Sequence, residues 1–180
     1  MNFNDLDEKE LNPAFGAYSK ATVMEQQGNY LKTNTEGVLE VKSIEYRDGY
    51  KGQSFITKFV VVSSSALDAG VEPHAAGSEV TWVQKVDQAL AGAPLKERDK
   101  AAARQSAALT GLLRIAGLGK PDPSQIAAFL TKVTSSDQPL AGYRVAYNCA
   151  AREGGRGYPN FFSLPADNTP EKVAERNGSK

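Results

Sequence analysis

Two glycine-flanked segments of the sequence combine aromatic rings with positive charges. The first contributes Tyr46, Arg47, Tyr50 and Lys51, and the second contributes Arg152, Arg156 and Tyr158. Aromatic rings stack on flat ligands, and guanidinium and ammonium groups bind phosphate oxygens. Because hairpin tips are usually small and polar, both segments indicate a surface for a flat, negatively charged ligand.

Further residues on the expected strands extend this candidate surface. Lys58 lies among apolar neighbours in the middle of a strand, and Lys85 and Arg144 add cations on other strands. Trp82 alternates with valines, so it is either a core residue or a stacking platform, and the pattern leaves both interpretations open. Tyr46 is likewise open between contact with the ligand and closure of one end of the fold.

No catalytic site can be assembled from the remaining residues. His74 is the only histidine and Cys149 the only cysteine, which rules out a zinc site built from these two residue types. We interpret His74 as an exposed loop residue, and the basic residues from Lys96 to Arg104 as the solvated face of a helix. The glycine-rich run 154–157 precedes a strand rather than a helix, unlike a Walker motif. The sequence therefore predicts no enzyme activity, no metal and no cofactor.

Composition predicts one soluble domain. The chain has 180 residues, of which 41% are hydrophobic and 23% charged, and no apolar run approaches the length of a membrane span. The first residues lack the basic and apolar regions of a signal peptide, and a single cysteine fits a reducing cytoplasm. The formal net charge is zero, but seven cations fall between Lys85 and Lys120, so charge is segregated along the chain.

The hydrophobic pattern predicts three strands, a helical insertion and two further strands. Period-2 alternation marks "VLEVKSIEYRDG", "SFITKFVVVSSS" and "SEVTWVQKV", and the glycines within residues 48–52 indicate a hairpin between the first two. A helical period follows within residues 96–134, where Gly117 ends one helix and Asp122 caps the next. The strands "YRVAYNCAAR" and "PNFFSLPA" complete a domain at 28–165, between an N-terminal arm at 1–27 and a C-terminal tail at 166–180 that we expect to fray.

Five short strands with a helix between the third and fourth have the order of an OB-fold, a small barrel that closes its own sheet edges. We therefore expect a mainly β protein with a five-stranded OB-fold-like barrel and helices between strands 3 and 4. A five-stranded sheet backed by helices is the competing architecture. Of the adjacent Phe161 and Phe162, one should be core and the other exposed. The other expected core residues are Phe55, Phe59, Tyr143, Val145 and Tyr147.

The pattern of glycines, aromatics and strands over about residues 28–165 resembles a group of bacteriophage-encoded proteins. It consists of "GNYLKTNTEGVLEVKSIEYRDGYKGQSFITKFVVVSSS", "GSEVTWVQKVDQALAG", a helical stretch ending in "LLRIAGL", and "PLAGYRVAYNCAAREGGRGYPNFFSLP". Members of this group are small OB-fold proteins of phage replication and recombination modules, associated with single-stranded DNA binding. In such a barrel the first hairpin and the loop between the last two strands border the binding groove. Here those are the two aromatic and basic segments.

The resemblance implies sequence-independent binding of single-stranded DNA in the cytoplasm of the bacterial host cell, with no cofactor and no catalysis. The partners it implies are the DNA strand, replication or recombination proteins, and further copies of the chain; no membrane is involved. The C-terminal residues depart from the acidic tail of many single-strand binding proteins, because their charges balance. A phage β-barrel module for protein–protein interaction or assembly, without nucleic-acid binding, is the alternative that zero net charge favours. An inhibitor of a host nuclease is a third alternative, and no feature of the sequence argues for or against it.

Overall fold

The structure, a computed structural model, describes residues 30–49, 52–86, 94–151 and 157–178. In chain order these residues form strands β1 (Thr35–Gly49), β2 (Gly52–Ala66) and β3 (Glu79–Val86), helices α1 (Leu95–Ile115) and α2 (Pro123–Val133), strands β4 (Arg144–Asn148) and β5 (Asn160–Ser163), a 3-10 turn (Pro165–Asp167) and helix α3 (Pro170–Gly178). The expected order of three strands, two helices and two strands is confirmed.

The strands make one antiparallel sheet in the order β3-β2-β1-β4-β5. Strand β1 is central, since it pairs with β2 along its whole length and with β4 over residues 36–40. Gly49 pairs with Gly52, which confirms the expected hairpin. Within the described residues, no backbone pairing joins β3 to β5. The sheet is therefore open, and the expected barrel is not confirmed.

The open sheet is strongly curled, so that its two edge strands meet through their side chains. In a flat sheet, four strand spacings of about 4.8 Å would separate β3 from β5 by roughly 19 Å. The ring centroids of Trp82 on β3 and Phe161 on β5 are instead 4.9 Å apart, edge to face. Phe59 on β2 also stacks on Phe161, at 5.6 Å. Aromatic contacts between strands that are not neighbours therefore fill the concave side of the sheet.

Two irregularities in the β1–β2 pairing bend these strands. Lys42 is the extra residue on β1, and Val62 is the extra residue on β2. A β-bulge bends its strand and increases the local twist. Beside the second bulge, Gly37 has a φ of +152°, and a Cβ there would lie 2.1 Å from the carbonyl oxygen of Ser63. Glycine at position 37 thus permits β2 to approach β1 closely where the sheet curls.

Alternation along the strands sends one set of side chains to the concave inner face and the other to the convex outer face. Buried residues of the inner face are Leu39, Val41, Ile44, Phe55, Phe59, Val61, Val80, Trp82, Val145, Tyr147 and Phe161. Tyr143 packs against this core while partly exposed, so the expected core residues are confirmed. Phe161 is 1% exposed and Phe162 54%, and the adjacent pair divides between the faces as predicted.

Helix α1 covers the gap between the two sheet edges. It packs against both β3 and β5. Every described side chain from Pro94 to Ala107 is exposed, whereas Leu112 and Ile115 are buried. A Cβ on Gly111 would lie 2.4 Å from Cη2 of Trp82. The second half of the helix can therefore approach the indole closely because residue 111 has no side chain.

The helix ends follow the signals in the sequence. Gly117 ends α1 with a φ of +70°, and the N–H of Leu118 donates to the carbonyl of Leu113 at 2.9 Å. Asp122 caps α2, as expected, by accepting a hydrogen bond from the backbone N–H of Ser124 at 2.9 Å.

The C-terminal residues are helical and packed rather than frayed, so that expectation was wrong for residues 170–178. Asn168 accepts from the backbone N–H of Arg144 at 2.7 Å and donates to its carbonyl at 2.8 Å. Asn177 of α3 donates to the carbonyl of Ala141 at 3.1 Å. These long-range hydrogen bonds hold α3 beside the start of β4.

Gly111→Ala should destabilise the fold even though alanine favours helix formation. Replacing a helical glycine gains about 1 kcal/mol of propensity, but the new methyl group meets a Trp82 ring held by Phe161, and overpacking costs about 1–3 kcal/mol. We expect a net loss of up to about 2 kcal/mol in the free energy of unfolding. Denaturant titration measures it, and fluorescence of Trp82, the only tryptophan, should change as well.

Gly119→Ala is the matched control, since no described atom lies within 4 Å of where its Cβ would be. Its stability and its tryptophan fluorescence should match those of the wild type. Higher stability of Gly111→Ala than of the wild type, with unchanged tryptophan fluorescence, would contradict the close packing of α1 on the indole.

Candidate functional site

The first predicted segment is divided between the two faces of the sheet. Tyr46 pairs with Phe55 on the inner face, and their ring centroids are 5.3 Å apart. Arg47 pairs with Ser54 on the outer face, where Lys58 also lies. Neighbouring strand residues point in opposite directions, so Tyr46 and Arg47 do not share one surface. Tyr46 lies at the end of the core, with 43% of its surface exposed.

Arg47 and Lys58 share one carboxylate on the outer face. Glu45 accepts hydrogen bonds from Nζ of Lys58 at 2.7 Å and from Nη2 of Arg47 at 2.8 Å. These bonds, that from Lys58 first, lower the pKa of the Glu45 carboxyl, so the group is ionised at neutral pH. The three side chains together carry one net positive charge. A phosphate binding here would share or displace the carboxylate.

Cations farther along the outer face are paired too. Arg144 donates to Glu40 at 3.3 Å, and Lys42 pairs with Glu79. The Lys42–Glu79 pair is exposed, and exposed ion pairs contribute about 0–1 kcal/mol to stability, whereas Glu40 is only 9% exposed. The pairing keeps the outer face close to neutral, and the exposed carboxylate of Glu79 can exchange for another anion at little cost to the fold.

Trp82 and Tyr158 line one cleft, which we call the edge cleft because it lies between the edge strands β3 and β5 and helix α1. Trp82 is 8% exposed, so it is a core residue and not an exposed stacking platform. Its ring forms part of the wall of the edge cleft, which has a volume of about 590 Å³ and is also lined by Gln84, Arg114, Tyr158 and Asn160. Tyr158 is 56% exposed. The cleft therefore brings aromatic, amide and cationic groups together.

Several predicted residues lie outside the described part of the chain. They are Tyr50, Lys51, Arg152 and Arg156, and the side chain of Lys85, whose backbone pairs with Ser54. Residues on either side of both segments are paired, Gly49 with Gly52 and Ala151 with Gly157. The roles of these side chains stay predictions.

Phe162 is part of the candidate surface. The sequence predicted only that one of Phe161 and Phe162 is exposed, without assigning it a role in binding. It is 54% exposed on the outer face, opposite Ala146 on β4. Arg144 lies on the same face, and Val83, 37% exposed, lies on it at the other edge of the sheet. The signal was available, because a ring next to a core phenylalanine in a strand must point outward.

His74 is buried, which corrects its interpretation as an exposed loop residue. It is 8% exposed, and its Nε2 accepts a hydrogen bond from the backbone N–H of Lys32 at 3.0 Å. The backbone N–H of His74 donates to Ser64 Oγ at 3.3 Å, and hydrogen bonds between hydroxyl groups continue from Ser64 to Tyr147 and from Tyr147 to Thr35. Burial, and then the charge of Lys32, lower the pKa of the imidazole. His74 thus ties the β2–β3 loop to the residues before β1.

The described ranges contain no group of three or more His, Cys, Asp or Glu residues arranged to hold a metal ion. None of the described helices is both long and apolar enough to span a membrane. Comparison of the chain with protein-family models and with curated proteins gives no match. The resemblance to phage proteins therefore stays a prediction, and the functional proposal depends on the geometry of the site.

His74→Gln should remove part of the pH dependence of stability. Because the pKa of folded His74 lies below its ordinary value of 6.5, the unfolded chain binds the proton more readily, and acid favours unfolding. The stabilisation is complete above about pH 6.5 and is lost as the pH falls through the lowered folded pKa. Glutamine can accept the Lys32 N–H but does not titrate. Denaturant unfolding from about pH 8 to pH 5 should therefore show a flatter profile for the variant.

His74→Ala, which lacks the acceptor, is the second variant and should be less stable than His74→Gln across this range. Parallel pH profiles for the wild type and His74→Gln would mean that the imidazole is not held in its neutral form.

Proposed function

We propose that the protein binds single-stranded DNA without sequence preference, as a non-catalytic component of phage replication or recombination in the host cytoplasm. One observation carries this proposal: the cations Arg47, Lys58 and Arg144 share the outer face of the sheet with the exposed ring of Phe162. Cations bind backbone phosphates and rings stack on bases, and neither contact requires a particular base.

We further propose that the curled sheet is a partly open OB barrel. The helices between the third and fourth strands support it, as does the side-chain contact of β3 with β5, where Trp82 and Phe161 are 4.9 Å apart. In OB-folds, strands 2 and 3 and their flanking loops bind oligonucleotides. The corresponding surface here is the outer face with Lys58 on β2 and Val83 on β3.

The carboxylates of this face set the expected strength of binding. Since Arg47 and Lys58 share Glu45, a bound strand releases fewer counterions than the number of cations suggests. At about −0.7 per phosphate, roughly two to three net contacts give a log–log salt slope near −2. Base stacking, about 1–3 kcal/mol per base, supplies the part of the affinity that salt does not remove.

A protein–protein interaction or assembly module is the second candidate, which the surface around α1 favours. The described side chains from 94 to 107 are exposed. Two clefts of about 460 and 510 Å³ flank α1 on its α2 side, where Leu109 and Ile126 line both. Most of the stability of a helix in a protein comes from packing against other parts of the structure. A protein partner on these clefts would therefore stabilise the exposed part of α1.

Glu45→Gln should tighten the binding of oligo-dT if the strand lies on the outer face. The change removes the shared carboxylate but keeps the shape of the side chain, so Arg47 and Lys58 both become available to phosphate. We expect a several-fold lower Kd at low salt, and a salt slope steeper by about 0.7 for each additional phosphate that the variant binds. Fluorescence anisotropy of a labelled oligo-dT at several salt concentrations measures both quantities.

Glu97→Gln is the matched control, because Glu97 pairs with Lys100 at 2.8 Å on the exposed part of α1 and the charge change is the same. Tighter binding by this variant alone would put the strand along α1 instead of the sheet. Duplex DNA should bind far more weakly, since its bases are stacked in the helix, and equal affinity would contradict stacking. Absence of oligo-dT binding at low salt would overturn the proposal in favour of the interaction module.

A further inference from the structure

The edge cleft differs in chemistry from the two clefts on the α2 side of α1. Aliphatic and small side chains make up most of the lining of those two clefts, with Tyr46, Phe55 and Gln105 in one and Arg114 and Lys120 in the other. The edge cleft combines aromatic rings, side-chain amides and a guanidinium, contributed by Trp82, Phe161, Tyr158, Gln84, Asn160 and Arg114. Its volume of about 590 Å³ falls within the range typical of small-ligand sites. Its composition favours a flat, polar-edged ligand over an aliphatic side chain.

The aromatic wall of the edge cleft is buried and closely packed. Trp82 and Phe161 touch edge to face and are 8% and 1% exposed. A Cβ on Gly111 would overlap the indole, so helix α1 also packs closely against Trp82. Tyr158, in contrast, exposes 56% of its surface. A preformed wall beside an exposed ring lowers the ordering cost of binding a planar group.

The polar groups match the edge of a nucleobase. The side-chain amides of Gln84 and Asn160 each carry a donor and an acceptor, so they can pair with the donors and acceptors of any base. Unpaired bases are recognised by such hydrogen bonds to their edges together with stacking on aromatic rings. Arg114 is an exposed cation at the same cleft and suits the phosphate attached to the base.

The cleft also borders the outer face. Val83 and Phe162, which are exposed there, directly follow Trp82 and Phe161 in the chain. Because alternate residues face opposite sides, the outer face ends at these two strands where the cleft begins. The two strands that flank the cleft therefore also carry exposed residues of the outer face.

We propose that the edge cleft takes one unstacked nucleobase of the bound single strand. Tyr158 stacks on the base, Gln84 and Asn160 hydrogen-bond its edge, and Arg114 binds the adjacent phosphate. This rests on the proposed function, since the base belongs to the strand bound on the outer face. One base of the strand is therefore held in the edge cleft, while the other bases lie on the outer face.

Trp82 provides a direct readout, because it is the only tryptophan and lines the cleft. Unlabelled oligo-dT should change its fluorescence over the same concentration range in which anisotropy of a labelled oligo-dT reports binding. Ala103→Phe places a ring in the edge cleft without removing a ligand-binding group, since Ala103 is exposed and lines it. It should abolish the fluorescence change and weaken binding about tenfold, the loss expected from one stacked base.

Ala102→Phe is the matched control, because Ala102 is also exposed on α1 but lines the cleft on its α2 side. It should keep both the affinity and the fluorescence change. Tyr158→Leu, which removes the stacking ring from the rim, should weaken binding as Ala103→Phe does.

The two readouts separate failure of this site from failure of the proposed function. Binding by anisotropy with no change in Trp82 fluorescence would overturn the nucleobase site and leave single-strand binding intact. Equal effects of Ala103→Phe and Ala102→Phe would also overturn it, as would a fluorescence change that survives in Ala103→Phe. Absence of binding by anisotropy would overturn both proposals.

Discussion

The contact between Trp82 and Phe161 is the constraint on which the rest of the structure depends. An open sheet has two edges with unpaired backbone groups, and here the curl brings these edges together through rings 4.9 Å apart rather than through hydrogen bonds. Gly111 lets α1 lie over the joint, and Phe59 extends the aromatic contact to β2. The convex outer face and the edge cleft both follow, since the cleft is the part of the gap that side chains leave open.

Local sequence patterns predicted the helices and strands but not the way in which the two edge strands of the sheet meet. Alternation identified the strands, and Gly117 and Asp122 marked the helix ends, because these signals lie within a few residues of the structure they form. The meeting of β3 with β5 depends instead on residues about 80 positions apart and on a β5 of only 4 residues. The tail was misjudged for the same reason. Its polar sequence suggests fraying, whereas the two bonds from Asn168 to the Arg144 backbone are long-range.

The sequence predicted the types of residue in the candidate site, and the structure corrected which face of the sheet their side chains occupy. Tyr46 and Arg47 suit one ligand chemically, yet one period-2 step sends them to opposite faces. Applying that step along the first strand would have separated Tyr46 from Arg47, whereas alternation alone could not decide which of Phe161 and Phe162 lies on the outer face with Arg144. His74 could not have been predicted as buried, because its small-residue loop carries no sign that the Lys32 N–H, 42 positions away, needs an acceptor.

Ion pairing on the outer face leaves little uncompensated positive charge there, and this pairing bears on selectivity. A face with uncompensated cations attracts any polyanion, duplex DNA included, because phosphate contacts carry no information about pairing state. Glu45 and Glu40 reduce that indiscriminate attraction at Arg47, Lys58 and Arg144. If the protein binds DNA as proposed, more of the affinity must come from rings that contact base faces, and only unpaired bases offer those. For the proposed function, the acidic partners of these cations would therefore favour single strands over duplex instead of merely weakening the binding of DNA.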